Sequence, residues 1–170
     1  MERIDLIPEL KTLEAGSHLC HLYGTEEEKC DVLLNFACQG LGKGEKVICV
    51  GDDTSRRDIL AGLEKIGLGP TENVASGQLL FLSSREVFTA GGRFDPERIL
   101  AFWNRAAEEA LGEGWPALRA TCDMSWLLEE PPGWRKHPVY EAEMNRLPRA
   151  GMCIFLFQYK QSSFDPLCQL

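Results

Sequence analysis

Gly44-Glu45-Lys46-Val47-Ile48-Cys49-Val50-Gly51-Asp52-Asp53 is the stretch whose reading decides the fold. Val47 to Val50 is an unbroken apolar run rich in β-branched residues, entered through Gly42-Lys43-Gly44 and left through Gly51-Asp52-Asp53. Such a run predicts a strand buried on both faces, as in the interior of a parallel sheet. An amphipathic helical pattern precedes it, roughly 26 to 41, and another follows, roughly 55 to 66. A buried strand between two helices is the βαβ rhythm, which predicts an α/β fold: a three-layer wound domain with a mainly parallel central sheet. Ligands of such sheets bind beyond the carboxyl ends of the strands.

Working outward, His18 to Tyr23 reads as a first strand, with His18, Cys20 and Leu22 on one face and Leu19, His21 and Tyr23 on the other. Residues 1–17 are polar and mixed and form an N-terminal arm with room for one helical turn; 18–170 read as one domain. Thr25 with Glu26, Glu27 and Glu28 starts a helix, Thr25 as cap and Glu28 closing a capping box. Thr54 or Ser55 caps the next helix, and Pro70 to Gly77 reads as a loop. Gln78 to Leu82, Ala117 to Asp123 and Met152 to Phe157 supply three more strands. Between them, Asp95-Pro96-Glu97 opens a helix that stops at Gly112, and Pro138 opens one running through Leu147. One helical turn fits 85 to 88, and no element is predicted from Ser162 to Leu170.

The 170 residues suffice for one domain that buries about 70% of its unfolded surface. A net charge of −8 and a pI near 4.9 argue against a nucleic-acid or anionic-membrane binder, which carries a basic stripe. No apolar run is long enough to span a bilayer, and MERIDLIPEL lacks the apolar core of a signal peptide. Seven cysteines scattered through apolar segments are the usage of a reducing cytoplasm rather than a disulfide framework.

The turn after the first strand is where a nucleotide-binding α/β domain carries its phosphate loop. Here it reads Gly24-Thr25-Glu26-Glu27-Glu28-Lys29-Cys30, with one glycine and three carboxylates that repel a triphosphate. ATP hydrolysis is therefore not expected, and no catalytic residues are assigned. His18 and Cys20 lie about 7 Å apart on one strand face and offer two metal ligands. A metal site needs a third, from His21, Cys122 or Glu141, and no metal or other cofactor is expected on the sequence alone. Asp123-Met124-Ser125-Trp126 sets a carboxylate and an indole where the fourth strand ends, a pattern suited to capping and core packing or to a pocket wall. Glu141 and Asn145 share one helix face, and Gln158-Tyr159 follows the fifth strand.

Taken together, His18-x-Cys20-x-x-Tyr23, Gly44-Glu45-Lys46-Val47, Asp123-Met124-Ser125-Trp126, Tyr140-Glu141-x-x-x-Asn145 and Gln158-Tyr159 resemble the MEDS domain, the methanogen/methylotroph DcmR-type sensory domain, over about 18 to 165. The resemblance implies a RecA/KaiC-like fold without a functional phosphate loop. It further implies a non-enzymatic sensor of small hydrocarbon derivatives in prokaryotic signal transduction or transcription regulation. The ligand-binding residues would be His18, Cys20, Tyr23, Asp123, Trp126, Glu141, Asn145 and Tyr159 around one pocket. Expected partners are the small-molecule ligand, an output domain such as a histidine kinase or helix-turn-helix in the same or another chain, and a second copy of the chain. A nucleotide-binding remnant of a KaiC-like ATPase and a protein–protein interaction module are the alternative readings.

Overall fold

The computed structural model of the chain describes residues 7–147 and 150–164. Strands β1 (His18–Tyr23), β2 (Lys46–Val50), β3 (Leu79–Leu82), β4 (Leu118–Asp123) and β5 (Cys153–Lys160) form one sheet in the order β1-β5-β4-β2-β3, every neighbouring pair parallel. Parallel neighbours require crossovers, and helices supply them. The chain passes from β1 to β2 through α2 (Glu26–Gly42), after the short α1 (Ile7–Leu10). It passes from β2 to β3 through α3 (Asp53–Lys65) and α4 (Pro70–Ala75), and from β3 to β4 through α5 (Ser84–Val87) and α6 (Pro96–Gly112). Helix α7 (His137–Met144) leads to β5, and α8 (Gln161–Phe164) follows it.

The pleat sends alternate residues of each strand to opposite faces, and both faces are covered. On one, Val47, Cys49 and Leu79 pack beneath Leu33, Ala37 and Leu41 of α2 and Ile59 and Leu63 of α3. Ile154 and Leu156 meet Val32 and Phe36 of α2 and Leu10 of α1 on the same side. On the other, Ile48, Ala120, Cys122, Phe155 and Phe157 pack against Ile99, Trp103 and Ala107 of α6 and Tyr140 and Met144 of α7. The expected three-layer wound α/β domain is the one found, and the sheet is parallel throughout its described strands. Every residue of β2 and β4 is buried, the reason Val47–Val50 carries no polar alternation.

Local details differ where short-range chemistry had several solutions. Asp52, not Thr54 or Ser55, caps α3: its Oδ1 accepts the Ser55 N–H at 2.8 Å. Thr25 caps α2 as expected, but Glu28 reaches past it and accepts the Gly24 N–H at 2.9 Å, so no reciprocal box forms there. A reciprocal box does form between Ser83 and Glu86, and it starts α5. Pro70–Ala75 is helical rather than a loop; it buries no residue, so no apolar period betrays it. Strand β5 runs on to Lys160 because Gln158 and Tyr159, though polar, are buried in the ladder. Residues 1–6, 148–149 and 165–170, parts of the arm, the stretch between α7 and β5 and the C-terminal segment, lie outside the described residues.

Helix α2 approaches the sheet closely at Gly40. A Cβ there would lie 2.6 Å from Arg119 Cδ and 2.7 Å from Val47 Cγ2. Arg119 is fully buried, its Nε donates to Glu45 Oε2 at 2.5 Å, and its guanidinium covers the Phe36 ring at 4.7 Å. Neither β4 nor Phe36 can retreat without breaking these contacts. Gly40→Ala is therefore expected to destabilise the domain by about 1–3 kcal/mol through overpacking. Gly42→Ala, where an added Cβ meets nothing within 4 Å, should be neutral or mildly stabilising. Urea denaturation of the two variants checks the contrast.

Candidate functional site

The chain leaves β2 towards β3 but leaves β4 back towards β5, and β2 and β4 are neighbours. Their departing loops diverge, which opens a crevice beyond the carboxyl ends of the strands. A cavity of about 250 Å³ occupies it. Its apolar wall is Leu33 of α2, Val50, Ile59 of α3, Phe81 and Leu82. Its polar wall is Lys29, Asp52, Ser55, Arg56, Ser83, Glu86, Thr121, Asp123 and Gln158.

Lys29 and Asp123 form the floor of this wall. Lys29 lies on the stripe Lys29, Val32, Leu33, Phe36, Ala37, Gly40 that faces the sheet, so helical spacing carries the ammonium inward with the apolar residues. There its Nζ donates to Asp123 Oδ2 at 2.6 Å and sits 5.4 Å from the centre of the Tyr23 ring. Burial alone lowers the Lys29 pKa, but the hydrogen bond and charge of Asp123, with Tyr23 and Glu26, outweigh it and the net shift is upward. Tyr23 is pushed up to about 12 by burial, with Lys29 opposing. Asp123 Oδ1 accepts the Ser125 N–H at 2.9 Å, which fixes the carboxylate. Gln158 Nε2 donates to the Lys29 carbonyl at 3.1 Å and lies 3.3 Å from His21 Nδ1. Against these satisfied groups stands Thr121, whose buried Oγ1 has no hydrogen-bond partner among the described residues and lines the cavity.

The other face of the sheet carries a second cluster. His18 and Cys20 of β1, Glu141 of α7 and Tyr159 of β5 converge there, joined by His137. Glu141 Oε2 lies 3.3 Å from His18 Nε2, and Oε1 lies 3.3 Å from His137 Nε2 and accepts the Tyr159 hydroxyl. Burial would raise the Glu141 pKa, yet the hydrogen bonds of His137 and Tyr159 and the charges of His137 and His18 bring it below the ordinary carboxylate value. The His18 ring is lowered by burial, against Glu141 and a hydrogen bond with Asn145 that raise it. Burial also drives Tyr159 strongly upward, with Glu141 adding to it. The phenol therefore stays protonated as a donor to Glu141.

The residues expected around one pocket are thus divided by the pleat. Asp123 lines the cavity, and Tyr23 abuts Lys29 on the same side. His18, Cys20, Glu141, Asn145 and Tyr159 gather on the α7 side. Trp126 also lies on the α7 side, buried between Phe88 and Phe94, stacked at 4.9 and 5.1 Å, with its ring edge to face on His137 at 6.2 Å. His21, a candidate third ligand beside His18, faces Glu28 and Gln158 on the cavity side instead. Lys29, Thr121 and His137 did not stand out in the sequence as site residues. For Lys29 the helical stripe was a usable signal, and for His137 its i,i+4 spacing to Glu141 was another.

Removing one partner of the Lys29–Asp123 pair leaves a buried charge uncompensated. Lys29→Met is expected to cost about 3–5 kcal/mol, and Lys29→Met with Asp123→Leu to recover most of it. Because the folded pKa of Lys29 is raised above 10.5, its contribution is complete below that pH and fades as pH rises through the folded value. The stability gap between wild type and Lys29→Met, measured by denaturant titration, should accordingly be constant from neutral pH to about pH 10 and close above it.

No helix among the described residues is long and apolar enough to cross a membrane. No curated protein matches the chain. A family model does match: MEDS, the methanogen/methylotroph DcmR sensory domain, over residues 17–167. With that match spanning most of its length, the chain belongs to the MEDS family of sensory domains.

Proposed function

We propose that this domain is a cytoplasmic, non-enzymatic sensor. It holds a small hydrocarbon derivative, a short apolar body bearing one polar group, in the cavity at the β2–β4 crevice. The observation that carries the reading is the cavity itself: about 250 Å³, apolar on the Leu33–Ile59–Phe81 side and polar on the other. That volume suits a compact molecule rather than a nucleotide. The Thr121 hydroxyl, buried without a partner, is the group such a ligand would satisfy. Its charged neighbours are already engaged, Lys29 with Asp123 and Asp52 with the Ser55 N–H. The polar wall therefore orients a ligand without supplying a reactive nucleophile or base. Occupancy would favour one arrangement of the α3 and α5 loops over another and so bias an output module, a histidine kinase or helix-turn-helix in the same or another chain.

A thermal-shift series of short alcohols, aldehydes, amines and carboxylates tests this. A binder at a hundred times its dissociation constant stabilises the fold by about 2.7 kcal/mol, enough to raise Tm by several degrees. The shift should vanish in Ser55→Phe, which fills the cavity, and shrink in Thr121→Val. Mg-ATP should leave Tm unchanged, since Lys29 is committed to Asp123 and Glu26, Glu27 and Glu28 front the turn. A series in which no compound shifts wild type more than Ser55→Phe refutes the proposal.

A further inference from the structure

The cluster on the α7 side has a composition that the cavity reading does not use. His18 Nε2, Cys20 Sγ and a Glu141 carboxylate oxygen all lie within 4.8 Å of one another. We propose that these three side chains bind a divalent transition ion of the zinc type, on the opposite sheet face from the cavity and independently of what the cavity holds.

The argument begins with the donor atoms. An imidazole nitrogen, a sulfur and a carboxylate oxygen form a mixed, borderline-soft set that suits Zn²⁺ or Co²⁺ and disfavours Mg²⁺ and Ca²⁺, which take oxygen ligands. Ligand atoms around a tetrahedral zinc stand about 3.3–3.6 Å apart, and His18 Nε2 already lies 3.3 Å from Glu141 Oε2. Strand alternation puts His18 and Cys20 on one side of β1, and β1 is an edge strand, which leaves Cys20 exposed and gives the ion a route in.

The surrounding atoms are arranged as an outer layer. Glu141 Oε1 is held by the Tyr159 hydroxyl and by His137 Nε2, which leaves Oε2 turned to His18. Asn145 hydrogen-bonds the His18 ring, while His18 Nε2 is buried with no hydrogen-bond partner of its own among the described residues. Outer contacts that hold one oxygen of a carboxylate and leave the other turned to the site are what metal sites use to orient their donors. Charge agrees: the carboxylate and a thiolate together balance a dication. On binding, the Cys20 thiol proton leaves to solvent as the sulfur–metal bond forms. Three protein ligands leave one coordination position for water.

The purified, metal-stripped full chain should take up one equivalent of Zn²⁺ in competition with a chromophoric chelator. Its Co²⁺ complex should show tetrahedral d–d bands together with a thiolate-to-cobalt charge-transfer band. Cys20→Ser should abolish the charge-transfer band, and His18→Ala and Glu141→Gln should each lose stoichiometric binding. Tyr159→Phe and His137→Ala, which meet Glu141 at Oε1 rather than Oε2, should weaken affinity by about 10–100-fold and keep the band. Circular dichroism of each variant separates loss of ligand from loss of fold, and the wild-type cobalt spectrum stands without any variant. The proposal is overturned if wild type binds no more Zn²⁺ than the His18→Ala/Cys20→Ser double variant. A cobalt complex lacking the charge-transfer band, or one that keeps it in Cys20→Ser, overturns it as well. Ser55→Phe should bind Zn²⁺ normally, which distinguishes failure here from failure of the cavity.

Discussion

The pleat of a fully parallel sheet, closed in on both sides by helices, is the constraint from which everything else here follows. Because successive side chains must point to opposite faces, neighbouring residues of one strand end up in unrelated surroundings. Gln158 joins Lys29 and His21 beside the cavity, and Tyr159, one peptide away, joins Glu141 and His137 behind it. The same rule separates His18 and Cys20 from His21 and Tyr23. Motif residues that look like one group along the chain are two groups in space.

The face beneath α2 carries an unusual burden for a core: two buried ion pairs, Lys29–Asp123 and Arg119–Glu45. Both link α2 or its following turn to β4 across a long stretch of chain. Burying such pairs contributes little net stability, since desolvation offsets most of the attraction. What they do impose is a penalty on misplacement, because a slip of α2 along the sheet would leave two charges unpaired in a dry interior. Gly40 serves the same end by steric means, admitting the Arg119 side chain only where the helix lacks a Cβ. Charge and shape together define a single seat for α2, and the cavity wall formed by Lys29 and Leu33 is fixed by that seat.

The fold was legible because its signals are periodic. Val47–Val50 without polar interruption, and the stripe Val32, Leu33, Phe36, Ala37, Leu41, each follow from burial on known faces. Even the location rule, a ligand crevice at the strand ends, was available before the strand order was known. What stayed hidden was strand order itself. Without knowing that β4 sits between β2 and β5, no reading of Asp123 could say which helix it meets, and its partner proved to be Lys29 from the first turn of α2. Trp126 shows the complementary limit: an aromatic after a strand end fits a pocket wall or a core equally well, and its place between Phe88 and Phe94, with His137 at its edge, depends on contacts distant in sequence. Pro70–Ala75 was missed for a third reason, since an exposed six-residue helix leaves no apolar period.

Strand β5 lies between β1 and β4 and contributes alternately to both faces. Any substitution that bends or shifts its carboxyl end disturbs the cavity and the α7-side cluster at once, whereas a change on α3 or α7 touches one of them. The helices can therefore alter one side without the other, and the end of β5 cannot.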